Sequence, residues 1–102
     1  MVKIKNRYPP DEWWTKNGLP VPLAEFKFHP KRKWRFDYYF AEYGVAIEIE
    51  GGAFTRGRHN RATGFIKDME KYNAAVEMKI FILRYPSLNK IDIEQVKRVL
   101  EL

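Results

Sequence analysis

The stretch from Trp34 to Gly52 constrains the fold most. It reads Trp-Arg-Phe-Asp-Tyr-Tyr-Phe, then Ala41-Glu42-Tyr43-Gly44, then Val-Ala-Ile-Glu-Ile-Glu, and closes on Gly51-Gly52. Successive side chains of a strand point to opposite faces, so Val45, Ile47 and Ile49 are expected on one face and Ala46, Glu48 and Glu50 on the other. In the preceding segment Phe36 and Tyr38 are expected to share a face, with Asp37 pointing away from them. Pairing the two segments as an antiparallel hairpin gathers Asp37, Glu48 and Glu50 on one face. Three carboxylates on an otherwise apolar hairpin repel one another and are costly to desolvate unless a cation sits among them. The pattern predicts a divalent-metal site.

With 102 residues, the chain is expected to form a single domain, 1–102, whose modest core needs nearly every apolar segment. A 45% hydrophobic and 16% aromatic composition predicts a globular rather than a disordered chain. The absence of cysteine excludes a disulfide framework and a thiolate zinc site, and makes an intracellular setting the expectation. No apolar run approaches the roughly 20 residues of a membrane span. The basic opening Met1 to Tyr8 lacks a following apolar segment, so neither a membrane association nor a signal peptide is expected.

A net charge of +6 suits a polyanionic partner, because Lys and Arg on one surface release counterions from a phosphate backbone. Its distribution is more informative than its size. Lys27, His29, Lys31, Arg32, Lys33 and Arg35 lead into the Asp37 segment, and Arg56, Arg58, His59 and Arg61 follow the Glu48/Glu50 segment. Positive charge brackets the acids on both sides. The plainer account of each run is a solvated surface, with the acids paired to those cations.

Along the chain, residues 1–9 are expected to form a flexible arm. Pro10 to Gly18 has Pro and two acids in front and Gly behind, which predicts a short helix. Of its two tryptophans, at least one is expected to pack on the sheet. Leu19-Pro20-Val21-Pro22 reads as a stiff extended linker. Leu23 to His29 alternates at Phe26 and Phe28, predicting a strand stopped by Pro30. The hairpin strands follow at about 34–40 and 45–50. Residues 53–63 read as a mobile basic loop. Phe65, Met69, Tyr72 and Val76 recur at helical spacing and predict a helix over about 63–77 with those residues inward. Lys79 to Tyr85 is a near-continuous apolar run ended by Pro86, which predicts an interior strand. A strand, helix, strand order of this length predicts a parallel crossover. Asp92 is expected to cap a terminal amphipathic helix whose Ile93, Val96 and Leu100 cover a sheet face or a partner subunit.

An Asp in one strand, Glu-x-Glu in the next, a helix and then an apolar strand resembles the PD-(D/E)XK nuclease superfamily. Its restriction-endonuclease-like fold has an αβββαβ core, here with a mixed sheet flanked by helices and a C-terminal amphipathic helix. The segments Arg-Phe-Asp-Tyr, Val-Ala-Ile-Glu-Ile-Glu-Gly-Gly, Gly-Arg-His-Asn-Arg and Asp-Met-Glu-Lys-Tyr-Asn-Ala-Ala are similar to small phage- and prophage-type endonucleases. These are related in outline to phage resolvases and the very-short-patch repair endonuclease. The resemblance spans about residues 19–85.

This resemblance implies that Asp37 and Glu48 bind Mg²⁺ or Mn²⁺ with the carbonyl of Ile49, and that a phosphodiester is hydrolysed. Glu50 stands where the family usually has Lys, as it does in some restriction enzymes of this fold. In the family the lysine migrates to the following helix in some members, so Lys71 is the preferred candidate for the third catalytic role, with Lys67 and His59 as alternatives. Glu50 could join the metal ligands, and Glu25 is a candidate fourth acid. Lys31, Arg32, Lys33, Arg35, Arg56, Arg58, His59 and Arg61 are the candidate nucleic-acid contacts.

Two function classes follow. The first is a metal-dependent DNA endonuclease, selective for branched, nicked or mismatched DNA in phage replication, recombination or repair. It would act in the cytoplasm of a bacterial host, as a homodimer or as a monomeric nickase. The second is a non-catalytic nucleic-acid-binding module on a degenerate nuclease fold.

Overall fold

The computed structural model describes residues 9–51 and 61–102, without the side chains of 61–65 and 67. Residues 1–8 of the expected arm and Arg56, Arg58 and His59 of the expected basic loop lie outside the described residues, as do the side chains of Arg61 and Lys67. Pro9, by contrast, is fully buried.

Helix α1 (Asp11–Lys16) starts after Pro10, carries Asp11 and Glu12 at its positive end and Lys16 at its negative end, and stops where Gly18 takes a φ of +77°. Strands β1 (Leu23–Lys27), β2 (Arg35–Phe40) and β3 (Val45–Ile49) form an antiparallel meander. Helix α2 (Arg61–Glu77) then leads to β4 (Phe81–Tyr85), which pairs parallel with β3. A single 3-10 turn precedes helix α3 (Ile93–Leu100), whose first turn is capped by Asp92 accepting from the Gln95 amide at 3.1 Å. The result is a mixed four-stranded sheet in the order β1-β2-β3-β4 with helices on both faces. Among the described residues, no helix is long and apolar enough to cross a membrane.

One face carries Tyr38, Phe40, Val45, Ile47 and Tyr85 against Trp14 of α1 and Val96 and Leu100 of α3. Trp14 is its centre, fully buried and edge-on to Tyr38 and Phe40 at 4.9 and 5.8 Å between ring centroids. Burial of such an indole is the largest single hydrophobic contribution available to a chain of this size. The other face packs Phe28, Phe36 and Ala46 against Ala75 of α2, with Tyr72 and Ala74 at the margin.

Three expectations are corrected here. First, Phe36 and Tyr38 do not share a face. Phe36 lies under α2, stacked on Phe28 at 4.4 Å, whereas Tyr38 packs on Trp14. Both β1 and β2 switch faces at the same level with their register unbroken: Ala24 pairs with Tyr38 on one face and Phe26 with Phe36 on the other, while Glu25 between them has a φ of +50°. Because both faces are covered, burial still alternates along β2 although the faces do not. Second, β4 is an edge strand, not an interior one. Its apolar run reflects helices on both faces, and Phe81 at its outer start is 70% exposed. Third, α2 turns Tyr72, Ala74 and Ala75 inward, leaving Met69 47% and Val76 70% exposed. Small alanines let the helix approach Ala46 closely, and this overrides the pattern of larger apolar residues.

Candidate active site

The change of face along β2 falls at Asp37, where the β2/β3 backbone ladder stops. The β2/β3 ladder ends at Tyr38↔Ile47, and one step on the Asp37 carboxylate Oδ2 accepts the Ile49 amide proton at 2.7 Å. A side chain thus replaces a main-chain partner between β2 and β3, while β2 stays paired with β1 and β3 with β4. The same step sets Asp37 next to Glu48.

Glu48 projects towards α2, where Lys71 meets it: Nζ lies 3.3 Å from Glu48 Oε1, with the two side chains 14% and 13% exposed. The ammonium is walled by aromatic rings, 5.0 Å from the Phe36 centroid and 5.7 Å from that of Tyr72. Glu48 Oε2 is buried with no hydrogen-bond partner among the described residues. Burial raises the Glu48 pKa above the ordinary carboxyl value, Lys71 pulls it down, and the neighbouring Asp37 charge pushes it up again. A buried carboxylate with one paired and one orphaned oxygen, beside a second acid, leaves part of its desolvation cost uncompensated.

Glu50 takes a different partner. Its Oε2 accepts from Arg84 Nε at 2.6 Å and from the Tyr72 hydroxyl at 3.3 Å, and the Arg84 guanidinium lies 4.4 Å over the Tyr72 ring. The hydrogen bond to Glu50 raises the Arg84 pKa further. Burial, followed by the Glu48 and Glu50 charges, raises the Tyr72 phenol well above its ordinary value, so it stays a neutral donor. The expected convergence of three carboxylates is therefore not what the geometry holds. Among the described residues, no group of three or more His, Asp or Glu side chains is placed to hold a metal ion. Asp37 and Glu48 form a pair, and Ile49 sits between Glu48 and Glu50 with its amide committed to Asp37.

The remaining candidates are dispersed. Glu25 pairs with Arg35 at 3.3 Å on the exposed edge, which removes it from the acid pair and gives Arg35 a structural partner. Arg32 stacks on Trp34 at 4.0 Å and reaches Glu70 of α2 at 3.4 Å. The turn before it is held by His29 Nδ1, which accepts the amides of Lys31 and Arg32 at 3.1 and 3.0 Å. Lys31 and Lys33 are exposed.

Sequence reasoning missed Arg84 and the polar role of Tyr72. The signal was present: Arg84 is the one charge in Ile80-Phe81-Ile82-Leu83-Arg84-Tyr85. The parallel register pairs Arg84 with Glu48, which puts its side chain on the α2 face beside Glu50. No family model, no curated protein and no solved structure matches the chain.

Proposed function

We propose that this chain is a Mg²⁺- or Mn²⁺-dependent DNA endonuclease of the PD-(D/E)XK kind, acting on branched, nicked or mismatched DNA in phage replication, recombination or repair. The observation that carries this reading is the Lys71–Glu48 pair beside Asp37, with Glu48 Oε2 buried and unpartnered. The α-β-β-β-α-β order and the parallel β3/β4 pair support it, since they deliver an acid from each of two adjacent strands and a lysine from the next helix to one place.

The donor set fits a hard divalent cation. Asp37, Glu48 and the Ile49 carbonyl are oxygen ligands of the type Mg²⁺ takes while keeping several waters. When bound, the metal would supply a hydroxide-like nucleophile and neutralise phosphate charge. The residues of the chain have their own tasks. Asp37 is oriented by the Ile49 amide, so its carboxylate is held in place before substrate arrives. Lys71, anchored by Glu48 and screened from water by Phe36 and Tyr72, stabilises charge developing on the phosphate, and does so more strongly than a solvated lysine would. A homodimer would supply one site per strand, and the cytoplasm of a bacterial host is the setting in which this reading places it.

One observation favours the alternative, a DNA-binding module without catalysis: Glu48 and Glu50 already have cationic partners, Lys71 and Arg84. Incubation with Mg²⁺ or Mn²⁺ and linear, nicked, single-stranded and four-way-junction DNA separates the two. Asp37→Asn is the control, because an amide oxygen can still accept from Ile49. The nuclease reading expects metal-dependent cleavage that Asp37→Asn abolishes while DNA binding persists. No cleavage of any substrate with either metal would leave the binding module.

A further inference from the structure

We infer that Arg84 grips a backbone phosphate next to the Asp37/Glu48/Lys71 site, and that Glu50 is its positioning residue rather than a metal ligand. The inference rests on the reading of DNA as the substrate. Two contacts hold the guanidinium: a hydrogen bond from Nε to Glu50 at 2.6 Å and its position over the Tyr72 ring, 4.4 Å from the centroid. The Tyr72 hydroxyl closes the triangle by donating to the same Glu50 oxygen at 3.3 Å.

Holding arginine through Nε leaves the two terminal nitrogens, the fork that matches phosphate oxygens, without a partner among the described residues. The side chain is half exposed and forms a wall of an open cleft of about 230 Å³ with Glu50, Tyr85 and Pro86. Both cations lie against the Tyr72 ring, the largely buried Lys71 Nζ 5.7 Å and the half-exposed Arg84 guanidinium 4.4 Å from its centroid. A phosphodiester chain lying across Tyr72 would meet one cation at each of two positions. The guanidinium needs no ordering on contact, since its plane is already set.

Duplex and junction DNA binding, read by fluorescence anisotropy in EDTA over a salt series, tests this without requiring cleavage. Arg84→Gln is expected to weaken binding about tenfold and to lower the slope of log Kd against log salt by about one. Arg84→Lys, which keeps the charge but loses the fork, is expected to keep the slope and lose part of the affinity. Glu50→Ala removes a negative charge from the DNA-facing rim, so simple charge counting expects tighter binding. The positioning role expects binding to weaken several-fold instead, with the Mg²⁺ concentration for half-maximal cleavage unchanged.

An unchanged salt slope in Arg84→Gln overturns the phosphate grip, as does a wild type that binds no DNA. Tighter binding by Glu50→Ala, or a raised Mg²⁺ requirement, overturns the positioning role. Cleavage with an unchanged slope would sink this inference alone, whereas the expected slope change without any cleavage would sink the nuclease reading alone.

Discussion

The Asp37 carboxylate accepts the Ile49 amide proton at 2.7 Å, so an acid on one strand completes the hydrogen bonding of the next. This single contact both extends the β2/β3 pairing past Tyr38↔Ile47 and orients the acid. Asp37→Ala leaves the part-buried Ile49 amide unsatisfied and is expected to cost about 1–3 kcal/mol. Asp37→Asn keeps an acceptor and is expected to cost under about 1 kcal/mol. Urea denaturation of both variants measures the difference; equal losses would mean that the carboxylate charge, not the hydrogen bond, holds the strands.

Glu48 and Lys71 predict a pH dependence. Because burial raises the Glu48 pKa, the folded chain holds a proton that the unfolded chain releases once pH passes 4.5. Stability from this group therefore falls as pH rises from about 4.5 towards its raised value, and levels off above it. The difference in unfolding free energy between wild type and Glu48→Gln isolates that change. Lys71→Met removes the cation that opposes the shift, so the decline should extend to higher pH and stability near pH 8 should drop by about 2–4 kcal/mol. If Lys71→Met and wild type show parallel stability profiles from pH 4 to 8, the pair is not coupled.

Gly51, two residues beyond β3, lies against the Pro86 carbonyl, and an added Cβ would clash with that oxygen. Backbone lies on both sides of the contact, so no side chain can yield. Gly51→Ala is expected to cost about 1–3 kcal/mol and to separate the ends of β3 and β4, where Glu50 and Arg84 meet. Thermal unfolding, together with the salt slope of DNA binding, reports both effects.

Much of the architecture was legible because local punctuation agrees with tertiary demand. Pro10 and Gly18 bracket α1, Asp92 caps α3, and Pro86 follows β4, so the elements fall where breakers and caps place them. The errors have one physical source, which is that burial was read as facing. Along β2 burial alternates through Asp37, yet Phe36 and Tyr38 serve opposite faces. In β4 an apolar run reports covered faces and says nothing about neighbours at the edge. That Asp37 and Glu48 are neighbours follows from strand order, whereas Lys71, which the structure sets 3.3 Å from Glu48, was suggested only by the family resemblance, alongside Lys67 and His59. The Glu50–Arg84 pair was not, because it depends on a parallel register across the α2 crossover that no local pattern records.

The orientation of α2 gives the sharpest contrast between what spacing suggests and what packing requires. Ala75 of α2 and Ala46 of β3 are both fully buried in one cluster between helix and sheet, where small side chains take the innermost positions. Ala75→Leu has no space to enter and is expected to cost about 1–3 kcal/mol. It should also lift Lys71 from Glu48, four residues earlier on the same helix, and so impair any Lys71-dependent activity more than the stability loss explains. Val76, although larger and more apolar, faces solvent, and Val76→Lys is expected to change stability by less than about 0.5 kcal/mol. A helix packed by Phe65, Met69, Tyr72 and Val76 would give the reverse order, with Val76→Lys the severe variant. Urea midpoints for the two substitutions, measured side by side, decide which face of α2 meets the sheet.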